Sequence, residues 1–247
     1  MKVLYEDNHL LVVSKPAGQI VQGDKTGRRS LVDEAKNWLK QKYGKPGNVY
    51  LGLVHRIDRL SSGVVVLAKT SKAGSRLSEE FRKRGPAKVY WAQVEGKLPE
   101  EAAWVDMLKR TDYASRVVEA PDGKEARLRF RRLAYSAGVS LAEITLETGR
   151  HHQIRVQFAY RGHHILGDRR YGSMIPFAPD AIALHARSIT LRHPTKGEEM
   201  TFTSEPPPEW NTVGAPPAGG QSNRRMGQSG GKARSPDKGR SKGRGKV

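Results

Sequence analysis

The chain has 247 residues, with 44 Lys and Arg against 25 Asp and Glu for a formal charge of +19, and an apolar share of 36%. It contains no cysteine, which excludes disulfides and thiolate metal sites and fits a reducing compartment. No stretch approaches the ~20 apolar residues of a membrane span, and the N-terminus has charges too early and an apolar run too short for a signal peptide, so the reading is a soluble cytoplasmic protein.

Taken in chain order, His9 to Val13 is a short β-rich run stopped by the turn SKPAG. Ser30 opens S-L-V-D, a capping-box pattern with Asp33 in the acidic position, and Leu31, Ala35, Trp38 and Leu39 share a helical face before Gly44. Gly63 to Ala68 is a continuous Val-rich run, the pattern of a strand buried on both faces. SKAGSRLSEEFRKRG places Ala73, Leu77 and Phe81 on one helical stripe ended by Gly85 and Pro86. Ala87 to Val94 alternates as a strand with Tyr90 near its middle, and the strands Ala126–Tyr135 and Val139–Leu146 flank a Ser136-Ala137-Gly138 turn.

A helix is expected from near His151, with Ile154 and Phe158 on its apolar stripe and Arg155 beside that stripe. β segments recur near Ile182–Arg192 and Glu199–Thr203, and three prolines, Pro206 to Pro208, close the fold. Strands and helices mix without a βα alternation, which predicts an α+β fold with a mixed, largely antiparallel central sheet and flanking helices over residues 1–210. Residues 211–247 read as a disordered Gly, Ser, Lys and Arg-rich tail, holding +8 of the +19 from nine basic residues and Asp237. A basic body with a basic arm predicts a polyanionic partner, nucleic acid before anionic membrane.

Four groups of residues could carry chemistry. The paired histidines His151-His152 and His163-His164, with His55, His185 and His193, invite a metal, but no HExxH occurs and adjacent histidines on a helix diverge by about 100°. Ser61-Ser62-Gly63 lies near His55, yet there is no G-x-S-x-G elbow, and a polar turn entering a strand is the simpler reading. TGRHHQIR lacks nucleotide-binding glycine spacings, although Arg150, His151 and His152 at a helix start could seat a phosphate. The last is Asp58, set among His55, Arg56 and Arg59 in VHRIDRLSSG. By composition alone it reads as an ion-pair partner.

Longer blocks change that balance. HRIDRLSSGVVVLAKT resembles the HRLDxxTSGLLLLAK signature of RluA-type pseudouridine synthases. VLYEDNHLLVVSKPAG resembles that family's opening strand and Lys-Pro-x-Gly turn, and AKVYWAQVEG its K-x-Y-x-A-x-V-x-G strand. ETGRHHQIRVQFAYRGHHILGDRRYG is similar to TGRxHQIRVHxxxxGHPIxGDxxYG, and LHARSITLRHP to LHAxxLxFxHP. The blocks keep the family order over residues 3 to 194. Departures are Gln157 and His164 for the family's His and Pro, and Leu60-Ser61 for a polar-Thr pair.

The resemblance implies the pseudouridine synthase fold and an isomerase that converts uridine in RNA to pseudouridine without cofactor, metal or nucleotide. It implies Asp58 as the catalytic carboxylate, nucleophile or sugar base, with Arg155 beside it; a cation there favours the ionised form in a site that excludes water. Tyr90 matches the active-site tyrosine, able to stack on uracil and help remove the C5 proton. The target base must be flipped out of RNA structure. Arg56 is expected to fill the vacated space or hold phosphate, and His55, Arg59, Arg150, His152 and Gln153 complete the expected RNA contacts. The partner is large-subunit ribosomal RNA, transfer RNA or both, bound by a monomer that lacks the family's N-terminal S4-type domain. An inactive RNA-binding or ribosome-assembly protein on this fold is the alternative, and a glycosidase would need a second free carboxylate near the first.

Overall fold

The computed structural model describes residues 1–23, 27–83 and 85–210; the basic stretch 211–247 lies outside the described residues. The chain opens with strands β1 (Lys2–Glu6) and β2 (Leu10–Lys15), then helix α1 (Leu31–Tyr43). β3 (Gly52–Leu53) and β4 (Ser62–Ala68) precede helix α2 (Ser71–Arg82). β5 (Ala87–Glu95), β6 (Glu101–Arg110), β7 (Ser115–Val118), β8 (Lys124–Ser136) and β9 (Val139–Leu146) follow, then helix α3 (Gln153–Tyr160), β10 (Leu184–Arg192) and β11 (Glu199–Thr203).

The strands form one sheet in the order β1-β2-β4-β10-β5-β9-β8-β6-β7, with β11 added to β10 and β3 to β4. Among the described residues the β4–β10 pair is parallel and the other strand pairs are antiparallel. This is the α+β, largely antiparallel architecture that the mixture of elements predicts.

Apolar patterning explains the layers. On β2 and β4, Leu11, Val13, Val65 and Leu67 pack with Leu31, Ala35 and Leu39 of α1. The alternate residues Leu10, Val12, Val64 and Val66 pack with Ala73 and Leu77 of α2. Both faces of this part of the sheet are therefore covered, which is why both strands read as unbroken apolar runs. α1 begins with the expected box: the Ser30 side chain accepts from Asp33 N–H, and the Asp33 carboxylate accepts from Ser30 N–H at 3.1 Å.

α3 departs from expectation. It starts at Gln153, because His152 takes a left-handed conformation (φ 54°). Residues Gln153 through Phe158 are all buried, so the helix has no amphipathic stripe. Phe158 packs against Trp104 of β6 at 4.7 Å and Phe130 of β8 at 5.4 Å between ring centroids, pinning α3 to the sheet. The ribbon β6–β7 was not visible in the sequence pattern.

One register relationship positions the site. Gly63 of β4 stands opposite Ala186 of β10, which stands opposite Tyr90 of β5. The loop that enters β4 and carries Asp58 is thereby placed at the same end of the sheet as Tyr90. Only glycine fits at position 63: its φ is +117°, and a Cβ there would lie 2.2 Å from the Ala186 carbonyl oxygen.

Candidate active site

A cavity of about 470 Å³ opens at this end of the sheet, lined among others by Asp58, Tyr90, Arg150, His152 and Arg155. The Asp58 side chain is 25% exposed within it. The turn that follows is fastened by Ser61, whose backbone N–H (3.3 Å) and hydroxyl (3.0 Å) both donate to the Asp58 carbonyl oxygen. Ser61 is thus a turn residue, and Ser62 bonds His185 Nδ1 at 2.8 Å in the buried interior.

Arg155 reaches Asp58 from α3, with Nη1 donating to Oδ2 at 3.1 Å. Its other side is taken by Asp168, which accepts from Nε at 2.7 Å and from Nη2 at 2.8 Å. Arg155 and Asp168 are both buried. Burial opposes charge on the guanidinium, but the hydrogen bonds and charge of Asp168, with the charge of Asp58, outweigh it and raise its affinity for the proton. Both Asp168 oxygens are occupied, so it is no second free acid of the kind a glycosidase requires.

His152 is the third neighbour, with Nε2 3.7 Å from Asp58 Oδ2. Burial lowers its pKa to about 3, against the charge of Asp58, so the ring is neutral near pH 7. The Tyr171 hydroxyl accepts from Ser115 N–H at 2.8 Å and lies 2.9 Å from His152 Nδ1, which fixes the orientation of the ring.

Lys15 was overlooked as a site residue although it belongs to the Lys-Pro-x-Gly block. Fully buried, its ammonium donates to the carbonyls of Pro16 (2.8 Å), Gln19 (2.9 Å) and Arg59 (3.1 Å). Burial lowers its pKa to about 7, and the charge of Asp58 works the other way. Three carbonyls can all be satisfied only by the ammonium, since a neutral amine has two N–H groups. Lys15 therefore ties the end of β2 to the loop that carries Asp58.

Tyr90 lines the same cavity. Burial, then the charge of Asp58, raise the affinity of its phenol for the proton, so the hydroxyl is neutral. Arg56 also lines the cavity; it is exposed and has no ion pair among the described residues. Arg150 lines the cavity while its Nε donates to the Glu125 carbonyl at 2.9 Å.

Three of the residues expected to contact RNA have protein partners in the structure. Arg59 turns away from Asp58 to Asp180 at 3.0 Å and is absent from the cavity lining. Gln153, though it lines the cavity, is buried and its polar atoms are taken: its amide donates to the Arg127 carbonyl at 3.0 Å, and its oxygen accepts from Arg150 N–H and the Thr148 hydroxyl. His55 accepts from Val66 N–H at 2.9 Å and stacks on Phe81 at 4.8 Å, with a pKa lowered to about 3 by burial. It fastens the loop to β4 as a neutral ring. The guanidinium paired with Asp58 is therefore that of Arg155, distant in sequence, while neither Arg56 nor Arg59 forms an ion pair with it among the described residues.

A carboxylate held by a guanidinium at the wall of a cavity that also carries a neutral phenol and the exposed Arg56 is equipped to receive an anionic polymer and act on a planar group. The family model described as RNA pseudouridylate synthase matches residues 9–160. A dual-specificity RNA pseudouridine synthase RluA of Haemophilus influenzae is 34% identical over 83% of this chain and 93% of its own length. A ribosomal large subunit pseudouridine synthase C of Vibrio cholerae is 36% identical over 80% of this chain, which spans 63% of that relative. Human RNA pseudouridylate synthase domain containing 4 shares the fold, with a TM-score of 0.70 at 23% identity over 84% of this chain and 89% of that one. The chain belongs to the RNA pseudouridylate synthase family, isomerases that convert uridine in RNA to pseudouridine.

Proposed function

We propose that this protein isomerises a uridine of ribosomal or transfer RNA, with Asp58 as the catalytic carboxylate. The observation that carries this reading is the Arg155–Asp58 contact in a cavity also lined by Tyr90 and Arg56. Asp58 attacks the sugar or takes a sugar proton, the N-glycosidic bond breaks, the base rotates while held, and C5 bonds to the ribose. Arg155 orients the carboxylate through its hydrogen bond.

The neutral phenol of Tyr90 stacks against the base. When C5 bonds to the ribose the Asp58 carboxylate is free again, and the Tyr90 phenol helps carry off the C5 proton by passing its own proton to solvent as it takes that one. The flipped base enters the cavity while Arg56 holds the strand, repaying an unstacking cost of a few kcal/mol. The basic stretch 211–247 adds nonspecific RNA affinity, and its removal flattens the salt dependence of binding without altering single-turnover chemistry.

Ribosomal RNA is the substrate class suggested by a relative named for the ribosomal large subunit, another relative's name reads dual-specificity, and transfer RNA is the class that the resemblance of the motif blocks adds. The test maps pseudouridines by carbodiimide labelling in RNA from cells with and without the gene, complemented by wild type or Asp58→Ala. A site lost on deletion and restored only by wild type is the expected result; persistence of every site refutes the reading.

A further inference from the structure

A second groove, of about 420 Å³, lies beside the first and shares Gly149 and Arg150 with it. Its lining carries Lys109, Arg110, Lys124 and Arg150 against the single acid Asp122. Lys109, Arg110 and Lys124 are exposed and enter no ion pair among the described residues. In the β6–β7 ribbon, Lys109 stands directly opposite Arg116, another exposed cation. Like charges opposed across a ribbon repel and cost stability, a cost that an anion between them would remove.

The wall of this groove is fixed to the catalytic site. Ser115 of β7 donates its hydroxyl to the His151 carbonyl at 2.7 Å and its N–H to the Tyr171 hydroxyl at 2.8 Å. Tyr171 in turn holds His152, whose Nε2 lies 3.7 Å from Asp58. A group bound against β6–β7 is thus held at a set distance from the reacting carboxylate.

We propose that the groove formed by β6–β7, Lys124 and Arg150 binds the phosphate backbone of the substrate RNA to one side of the target uridine. The inference rests on the RNA reading above and adds where the flanking strand runs. Phosphodiester fits better than an isolated anion because the cations are spread along a groove that continues into the cavity, and none is buried as a closed anion site would need.

The test uses the full chain and unmodified transcripts of ribosomal and transfer RNA. Equilibrium binding is measured from low to moderate salt for wild type, for the triple variant Lys109→Ser/Arg110→Ser/Lys124→Ser, and for the equal-charge control Lys2→Ser/Lys40→Ser/Lys72→Ser. The groove variant is expected to lower the slope of log affinity against log salt by about 2 to 3, and to raise KM at least tenfold with kcat unchanged. The control is expected to change the slope by less than one. An unchanged slope in the groove variant, or an equal change in the control, overturns the proposal. Should wild type bind these RNAs yet make no pseudouridine, the catalytic reading fails while the binding result still decides the groove.

Discussion

Asp168 holds Arg155 by two parallel hydrogen bonds, 2.7 Å from Nε and 2.8 Å from Nη2, which leaves Nη1 directed at Asp58. The clamp lies 13 residues along the chain from the arginine that it orients, so α3 and the loop after it act together on a carboxylate almost a hundred residues earlier. Asp168→Asn leaves a buried guanidinium short of one charge and one good acceptor. We expect kcat to fall 10-fold or more with KM changed less than threefold, and stability to drop by about 3 kcal/mol. Steady-state kinetics and urea unfolding check both.

Gly63→Ala forces a Cβ into the Ala186 carbonyl and holds alanine at a φ that it rarely adopts. The strand junction beneath Asp58 must shift, and a loss of at least about 2 kcal/mol is expected. The same change at Gly23, which has nothing within 4 Å of the added Cβ, should stay within about 0.5 kcal/mol. Urea midpoints of the two variants give the comparison.

Acid destabilises this fold through histidines kept neutral by burial. The pKa values of His55 and His152 are lowered to about 3 and that of His185 to about 4. The unfolded chain binds these protons below about 6.5 while the folded chain refuses them, so their contribution is complete above pH 6.5 and is lost as pH falls toward 3 to 4. Each histidine adds at most about 1.4 kcal/mol per pH unit in that window. Lys15, at about 7, is protonated in both states below about pH 6 and adds to the fall only between pH 7.5 and 6. Unfolding free energy measured at pH 7.5, 6 and 5 should fall with a slope steepening below 6.5; a flat profile would sink this account of the histidines.

Arg56→Ala tests the exposed arginine at the cavity. With no ion pair to lose, the fold should keep its stability within about 0.5 kcal/mol. RNA affinity should weaken at least fivefold. Equal affinity and equal turnover in parent and variant would remove Arg56 from the mechanism.

What the sequence made legible follows from which forces are local. α1 announces itself through Ser30, Asp33 and Gly44, and β4 through an apolar run covered on both faces, because capping and burial act on neighbouring residues. The ribbon β6–β7 escaped notice because its outer strands alternate weakly, with Lys109, Arg110 and Arg116 where apolar residues would mark a strand. The parallel pairing of β4 with β10 joins segments more than 120 residues apart, and nothing in either run states its partner. At the site, Asp58, Tyr90, Arg155 and His152 were found together through their motif blocks. The pairing of Arg59 with Asp180 was not legible, because the two residues lie far apart in the sequence. Lys15 was missed because an exposed basic turn is the usual setting for a lysine there.

The measurement that bears most directly on the central claim is single-turnover release of tritium from RNA carrying 5-tritiated uridine, with enzyme in excess, for wild type, Asp58→Asn and Asp58→Ala. Tritium leaves only when C5 has joined the sugar. Release by wild type, with both variants binding the RNA within threefold of wild type and releasing less than a thousandth as fast, is the predicted result. Release by either variant at a rate near that of wild type would contradict the assignment of Asp58 as the catalytic carboxylate.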